Sequence, residues 1–234
     1  MNRKIQILFL TIFIALFSMG LKYGKEYIND ENFYDSGFFK SYVNFMKVDG
    51  FEYALYPSAI PLGKYKNCII FDFANKSESG MGNYITGSGK SYTQAKIVDT
   101  PAGKVRESID KDGYPSVPDA LSARLSVIYQ KIKREHQGKR GVTVSELKKR
   151  GFDLAIVGQI SRIEAPETIS GESFKETILQ GMKTPWRILI EIKFIDVKTG
   201  DVVLGISHRT SDKNFIYAVR ENMDDVAEFI MKHK

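Results

Sequence analysis

Between Trp186 and Phe194 the apolar residues Trp186, Ile188, Ile190, Ile192 and Phe194 occupy every even position, with Arg187, Glu191 and Lys193 between them. A strand sends alternate side chains to opposite faces, so this register predicts one apolar face and one largely wet face. Val197-Lys198-Thr199-Gly200-Asp201 then turns the chain, with Gly200 free to take the left-handed backbone that a short hairpin loop needs. Val202 to Ile206 returns beside the first strand. A long hairpin with one oily face has to be covered by helices or a second sheet.

Helical periods supply that cover. Ser116-Val117-Pro118-Asp119 places a cap, an early proline and a carboxylate at a helix start. Leu121, Leu125, Ile128 and Ile132 follow at spacings of four, three and four, which predicts a helix to about His136. Lys131, Lys133 and Arg134 then read as its solvated, cationic end. Thr143-Val144-Ser145-Glu146 is a capping box opening a short helix to Arg150, with Gly151 as its stop. Ser211 reads as the cap of a last helix whose stripe is Phe215, Val219, Met223, Val226 and Ile230.

Two further strands are expected at Cys68–Phe73 and Phe152–Ile163. The polar, glycine-rich stretch 74–89 reads as a loop, Tyr92 to Arg106 as one edge strand, and Glu107 to Tyr114 as a charged turn. The stretch from Ala165 to Lys183 is rich in Glu, Ser, Thr and Gly and reads as a loop. The expected class is therefore α/β (α+β), a mixed sheet with a long C-terminal hairpin under two amphipathic helices.

The amino terminus has a different character. Arg3 and Lys4 precede an apolar run from Ile5 to Phe17, and Ser18-Met19-Gly20 offers small residues for cleavage. A basic start, an apolar middle and a small-residue exit are the parts of a secretory signal. The run is short for a span, which favours a cleaved signal over a retained inner-membrane anchor. Residues 1–21 are thus a signal peptide or anchor able to associate with a membrane through residues 5–21. The rest is expected in the periplasm or another extracytoplasmic space. No cysteine follows the run closely, which excludes the usual lipoprotein attachment.

Residues 22–63 form an aromatic-rich arm, and disordered linkers are poor in aromatics. Phe38, Phe39, Tyr42, Phe45 and Met46 fit a short amphipathic helix. Core packing is the plain reading of that stripe, and a partner-binding surface at Phe38, Phe39, Tyr42 and Phe45 is the functional one. Residues 64–234 make a single α/β domain with a loop insertion at about 74–115.

Candidate chemistry is sparse. The formal charge of +6 is mild, and Arg3 and Lys4 supply two of those six charges, which argues against nucleic acid as a partner. Cys68 is the only cysteine, so no internal disulfide or multi-cysteine metal site can form, and it reads as a small buried hydrophobe. His136, His208 and His233 stand on different elements in no metal-ligand spacing and read as surface histidines. Glu164 and Glu167 are a weak carboxylate pair, and no nucleophile elbow is present. Tyr84-Ile85-Thr86-Gly87-Ser88-Gly89-Lys90-Ser91 nearly fits a phosphate-binding loop. It has Tyr84 where that loop needs glycine, is separated from Phe73 by ten residues, and opens no helix. No cofactor and no enzymatic activity are expected.

Gly151-Phe152-Asp153-Leu154-Ala155-Ile156-Val157-Gly158-Gln159-Ile160, followed by Ile190 to Val203 with its Asp196-Val197-Lys198-Thr199-Gly200 turn, resembles a group of bacterial envelope proteins. The group includes the curli-export channel lipoproteins, the lipoprotein activators of penicillin-binding proteins and the TolB amino-terminal domain. The resemblance covers about residues 64–232. It implies helices packed on a mixed sheet, and an envelope assembly or binding role without catalysis. This chain departs from the group in lacking the lipoprotein cysteine, and no binding residue carries over by position. The expected partner is an envelope protein or a second copy of the chain. The alternative is a periplasmic small-molecule or lipid-binding protein with a pocket between sheet and arm.

Overall fold

The computed structural model describes residues 61–88, 92–136, 142–166 and 184–232, together with the backbone of two strands at 45–48 and 51–55. The chain forms a mixed α/β fold. Its strands are β1 (Phe45–Val48), β2 (Phe51–Leu55), β3 (Asn67–Phe71), β4 (Ala74–Asn75), β5 (Gln94–Thr100), β6 (Gly103–Ile109), β7 (Lys131–Glu135), β8 (Leu154–Glu164), β9 (Trp186–Asp196) and β10 (Val202–Asp212). Its helices are α1 (Gly82–Ile85), α2 (Val117–Leu125), α3 (Val144–Lys149) and α4 (Phe215–Lys232). The main sheet runs β1-β2-β10-β9-β8-β3-β7, with β4 also beside β8, while β5 and β6 form a separate hairpin. β3 lies parallel to both β7 and β8; β8, β9, β10, β2 and β1 are antiparallel in turn.

The β9–β10 hairpin follows the alternation. Ile188, Ile190, Ile192 and Phe194 are wholly buried against the stripe of α4. Gly200 takes a φ of 78° in the turn. There Asp196 Oδ1 accepts from the backbone N–H of Lys198 at 2.6 Å and of Thr199 at 3.2 Å. The other face of β9 is drier than its sequence suggests. Ile195 and Val197 join Ile69, Phe71, Ala155 and Val157 in a second core under Leu147 of α3, and Lys193 is buried as well. Glu191 takes hydrogen bonds from Gln159 and Ser161 on β8. Cys68 is fully buried in the first core, as read.

The caps at Ser116 and Thr143 stand where expected: Ser116 Oγ accepts from Asp119 N at 3.1 Å, and Thr143 and Glu146 close the capping box. Ser211 is not a cap. It lies inside β10, and Asn214 caps α4, its Oδ1 accepting from Ile216 N at 2.9 Å.

The predicted helix to His136 ends at Leu125, and Lys131–Glu135 is a strand. The exposed edge of β3 offers five paired positions to this segment, Asn67↔Lys131 through Phe71↔Glu135, which local helical spacing cannot foresee. The loop insertion at 74–115 is also corrected, since it holds β4, α1 and a complete β5–β6 hairpin that runs through the supposed turn as far as Ile109. Phe45 and Met46 belong to a strand, not to an amphipathic helix. In the sequence Asp49-Gly50 stands between the two strands, a dipeptide that favours a tight turn and that the helical reading passed over. Among the described residues no helix is long and apolar enough to cross a membrane.

Candidate functional site

β6 turns Val105, Glu107 and Ile109 inward onto α2, and its period of two therefore sets a carboxylate in a dry place. Glu107 is wholly buried, and a buried charge has to be matched by opposite charge and hydrogen bonds. Arg124 on α2 donates from Nη1 to Glu107 Oε1 at 2.7 Å. Arg220 on α4 donates from Nε and Nη2 to Oε2 at 2.8 and 2.6 Å. Arg124 also donates from Nη1 to the Ala120 carbonyl at 3.0 Å and from Nε to Asp224 Oδ1 at 2.7 Å. One ionic chain, Arg220–Glu107–Arg124–Asp224, thus fastens the hairpin to both helices.

Above this chain lies a groove of about 630 Å³ between β5 and α4. On one side it is lined by Lys96, Ile97, Val98 and Asp99. Four consecutive residues of a strand point to both faces, so the groove follows the backbone edge of β5. Among the described residues β5 pairs only with β6, leaving that edge open. The other side is one stripe of α4, Tyr217, Arg220, Glu221 and Asp224, with Asp212 at the end of β10. Ile97 is 62% exposed and Tyr217 57%, which puts large apolar surface at the rims. Burial raises the pKa of Glu221 from its ordinary value, helped by Asp225, Asp212 and Asp224 and opposed by His208. Burial also raises that of Asp224, against the pull of Arg124. The groove is a slot with an unpaired strand edge, apolar rims and crowded carboxylates.

A second polar cluster sits where β3 and β7 end. Arg134 donates to Asp72 Oδ1 at 2.8 Å, to the Ile70 carbonyl at 2.7 Å and to Asp119 Oδ1 at 3.2 Å, while His136 Nδ1 lies 3.3 Å from Asp72. Arg134 is thus no solvated helix end; it ties the end of β3 to the start of α2. A smaller cavity of about 340 Å³ lies alongside, lined by Ser122, Ser126 and Arg134 among others. The stretch that nearly fits a phosphate loop begins on α1, so its helix precedes the loop instead of following it. Lys90 and Ser91 lie outside the described residues.

Phe38, Phe39 and Tyr42 lie outside the described residues, as does the side chain of Phe45, whose backbone pairs with Ala54. The pocket expected between sheet and arm falls outside them too. Glu164 binds Arg162 at 2.8 Å and Arg187 at 3.4 Å, and Glu167 is outside the described residues. His208 is not on the surface: it is 5% exposed, with Nε2 2.8 Å from Asp225. Among the described residues no three His, Cys, Asp or Glu side chains converge to hold a metal ion. The apolar stripe of α4 was legible from its period, but the groove residues Tyr217, Arg220, Glu221 and Asp224 were not singled out. The open edge of β5 and the Glu107–Arg124–Arg220 contact were not legible, because each depends on residues distant in sequence.

No family model and no curated protein matches the chain. Solved structures share its architecture weakly. A dodecameric PelC variant from Paraburkholderia phytofirmans has 9% identity and a TM-score of 0.48 over 79% of this chain and 98% of that one. Lipoprotein GNA1162 from Neisseria meningitidis has 10% identity and a TM-score of 0.36 over 71% and 99%. Protein XCC0632 from Xanthomonas campestris has 10% identity and a TM-score of 0.32 over 75% and 87%. All three come from bacteria, and one of them is named a lipoprotein. At such identities and scores they assign no role to this chain.

Proposed function

We propose that this chain is an exported bacterial cell-envelope protein that works without catalysis, by binding a protein partner through the groove between β5 and α4. The observation that carries the reading is the groove itself, an open strand edge facing a helix stripe between the exposed side chains of Ile97 and Tyr217. A strand edge offers its backbone N–H and C=O groups to a pairing segment of another chain, and exposed apolar side chains on either side add contact area. The basic start, apolar run and small-residue exit of residues 1–20 support export, and the TolB-like pattern at 151–160 and 190–203 supports an envelope address.

The test places a photo-reactive amino acid at Tyr217 of the full chain in its own cells, with Lys198 as control. Lys198 is exposed in the β9–β10 turn, while Asp212 of the groove lies at the other end of that hairpin. Discrete protein adducts from position 217 and none from 198 are the expected result. No adduct at 217, or the same adducts from both positions, refutes the reading. Amino-terminal sequencing of protein from the envelope fraction tests the address.

A further inference from the structure

We infer that the groove takes an extended, lysine- or arginine-bearing segment of the partner protein as an added strand on the open edge of β5. This rests on the partner-binding reading above and names the chemistry of its partner.

The shape argues for a strand. The groove follows four consecutive residues along the edge of a seven-residue strand. At about 3.3 Å per residue that edge is about 23 Å long, enough to pair with an extended segment of similar length. Alternate N–H and C=O groups of such an edge are open to pairing, and pockets beside it read every second side chain of the guest. Here the wall facing the edge is the stripe of α4 that carries Tyr217, Glu221 and Asp224.

The charges argue for a basic guest. The guanidinium groups of Arg124 and Arg220 are already engaged, both by Glu107 and the former also by Asp224. With Asp99 paired to Lys104 at 3.9 Å, Lys96 then stands against Asp212 and Glu221 around the slot. Glu221 lies in the slot with Asp212 and Asp224, and burial together with Asp225, Asp212 and Asp224, opposed by His208, disfavours its charged form, so an arriving cation is favoured over an arriving anion. Salt-sensitive binding follows.

A second copy of β5 is a poorer guest. A two-fold antiparallel pairing sets residues of the same parity opposite each other, so Lys96 never faces Asp99 of the other copy.

The experiment uses the purified full chain and three fluorescein-labelled nonapeptides: alternating lysine and valine; the same with glutamate for lysine; and the lysine peptide methylated on alternate backbone amides. Binding is read by anisotropy, and the site by amide chemical shifts. The lysine peptide is expected to bind at least about tenfold more tightly than either of the others, shifting Ile97, Val98 and Glu221. Glu221→Gln is expected to weaken it roughly threefold and Glu221→Lys about tenfold, with melting temperature checked for each. Equal binding of the lysine and glutamate peptides, undiminished binding of the methylated one, shifts elsewhere, or indifference to Glu221→Lys would each overturn the inference. So would a dimer in sedimentation that Ile97→Lys abolishes, since a second copy would then fill the slot. Failure of every peptide, with photo-adducts at position 217 intact, would overturn strand addition and leave partner binding standing.

Discussion

Replacing Glu107 with glutamine should loosen the β5–β6 hairpin from the helices. The carboxylate is wholly buried and receives three charge-assisted hydrogen bonds, one from Arg124 and two from Arg220. An amide keeps one acceptor oxygen and turns an NH2 group toward guanidinium donors, which have nothing to accept with. Arg124 is 1% exposed and would keep only Asp224 as its ionic partner. Removing one member of a buried ion pair costs about 3–5 kcal/mol, much of it the stranded charge on the other side. For a domain of this size that is a fall of about 6–20 °C in melting temperature. Circular dichroism melts and urea titrations measure it directly. Lys104→Ala serves as control, because its pair with Asp99 is 3.9 Å long with both side chains mostly exposed, and no measurable change is expected there. A loss for Glu107→Gln under about 1 kcal/mol would refute the reasoning, since it would mean that Glu107 is not the point holding hairpin and helices together.

Three further outcomes are expected. Gly158→Ala should cost about 1–3 kcal/mol in urea denaturation, because a Cβ there would meet the buried Phe73 ring at 2.3 Å; combining it with Phe73→Leu should recover part of the loss, and a neutral Gly158→Ala would contradict the packing. Burial lowers the pKa of Lys193 against the pull of Glu191, so replacing the ammonium with an apolar chain of similar length in Lys193→Met should leave stability within about 1 kcal/mol of the parent; a loss above about 2 kcal/mol would show that the ammonium is needed. Glu221 has a folded-state pKa above its unfolded value, so its ionisation reduces stability as pH rises through that interval. The melting temperature of Glu221→Gln relative to the parent should therefore climb as pH rises from about pH 4 through the folded-state pKa, and a flat difference would refute the burial of Glu221 and its crowding by Asp225, Asp212 and Asp224.

What the sequence discloses and what it conceals divide along one physical line. Features set by neighbours in sequence were legible: the β9 alternation, the Gly200 turn, the Thr143 capping box and the stripe of α4. Features decided across the fold were not. Ile132 fits a helical stripe after Leu125 as well as a strand beside Cys68, and only the open edge of β3 decides between them. Glu107 looks like a surface charge until Arg124 and Arg220, 17 and 113 residues away, close over it. His208 alternates correctly for β10, yet its burial depends on α4 arriving with Asp225 and Asn222. The groove shares this origin, since its two walls come from β5 and α4 and neither is remarkable alone.

Cys68 gives the molecule a gauge of its own opening. It is the only thiol in the chain, it has no exposed surface, and burial pushes its pKa well above the ordinary value. A thiol reagent in solution can reach it only when β3 parts from its neighbours, so the labelling rate measures how often the centre of the sheet comes undone. No cysteine need be engineered for that measurement. In an oxidising compartment the same burial prevents copies of the folded chain from cross-linking through their lone sulfur.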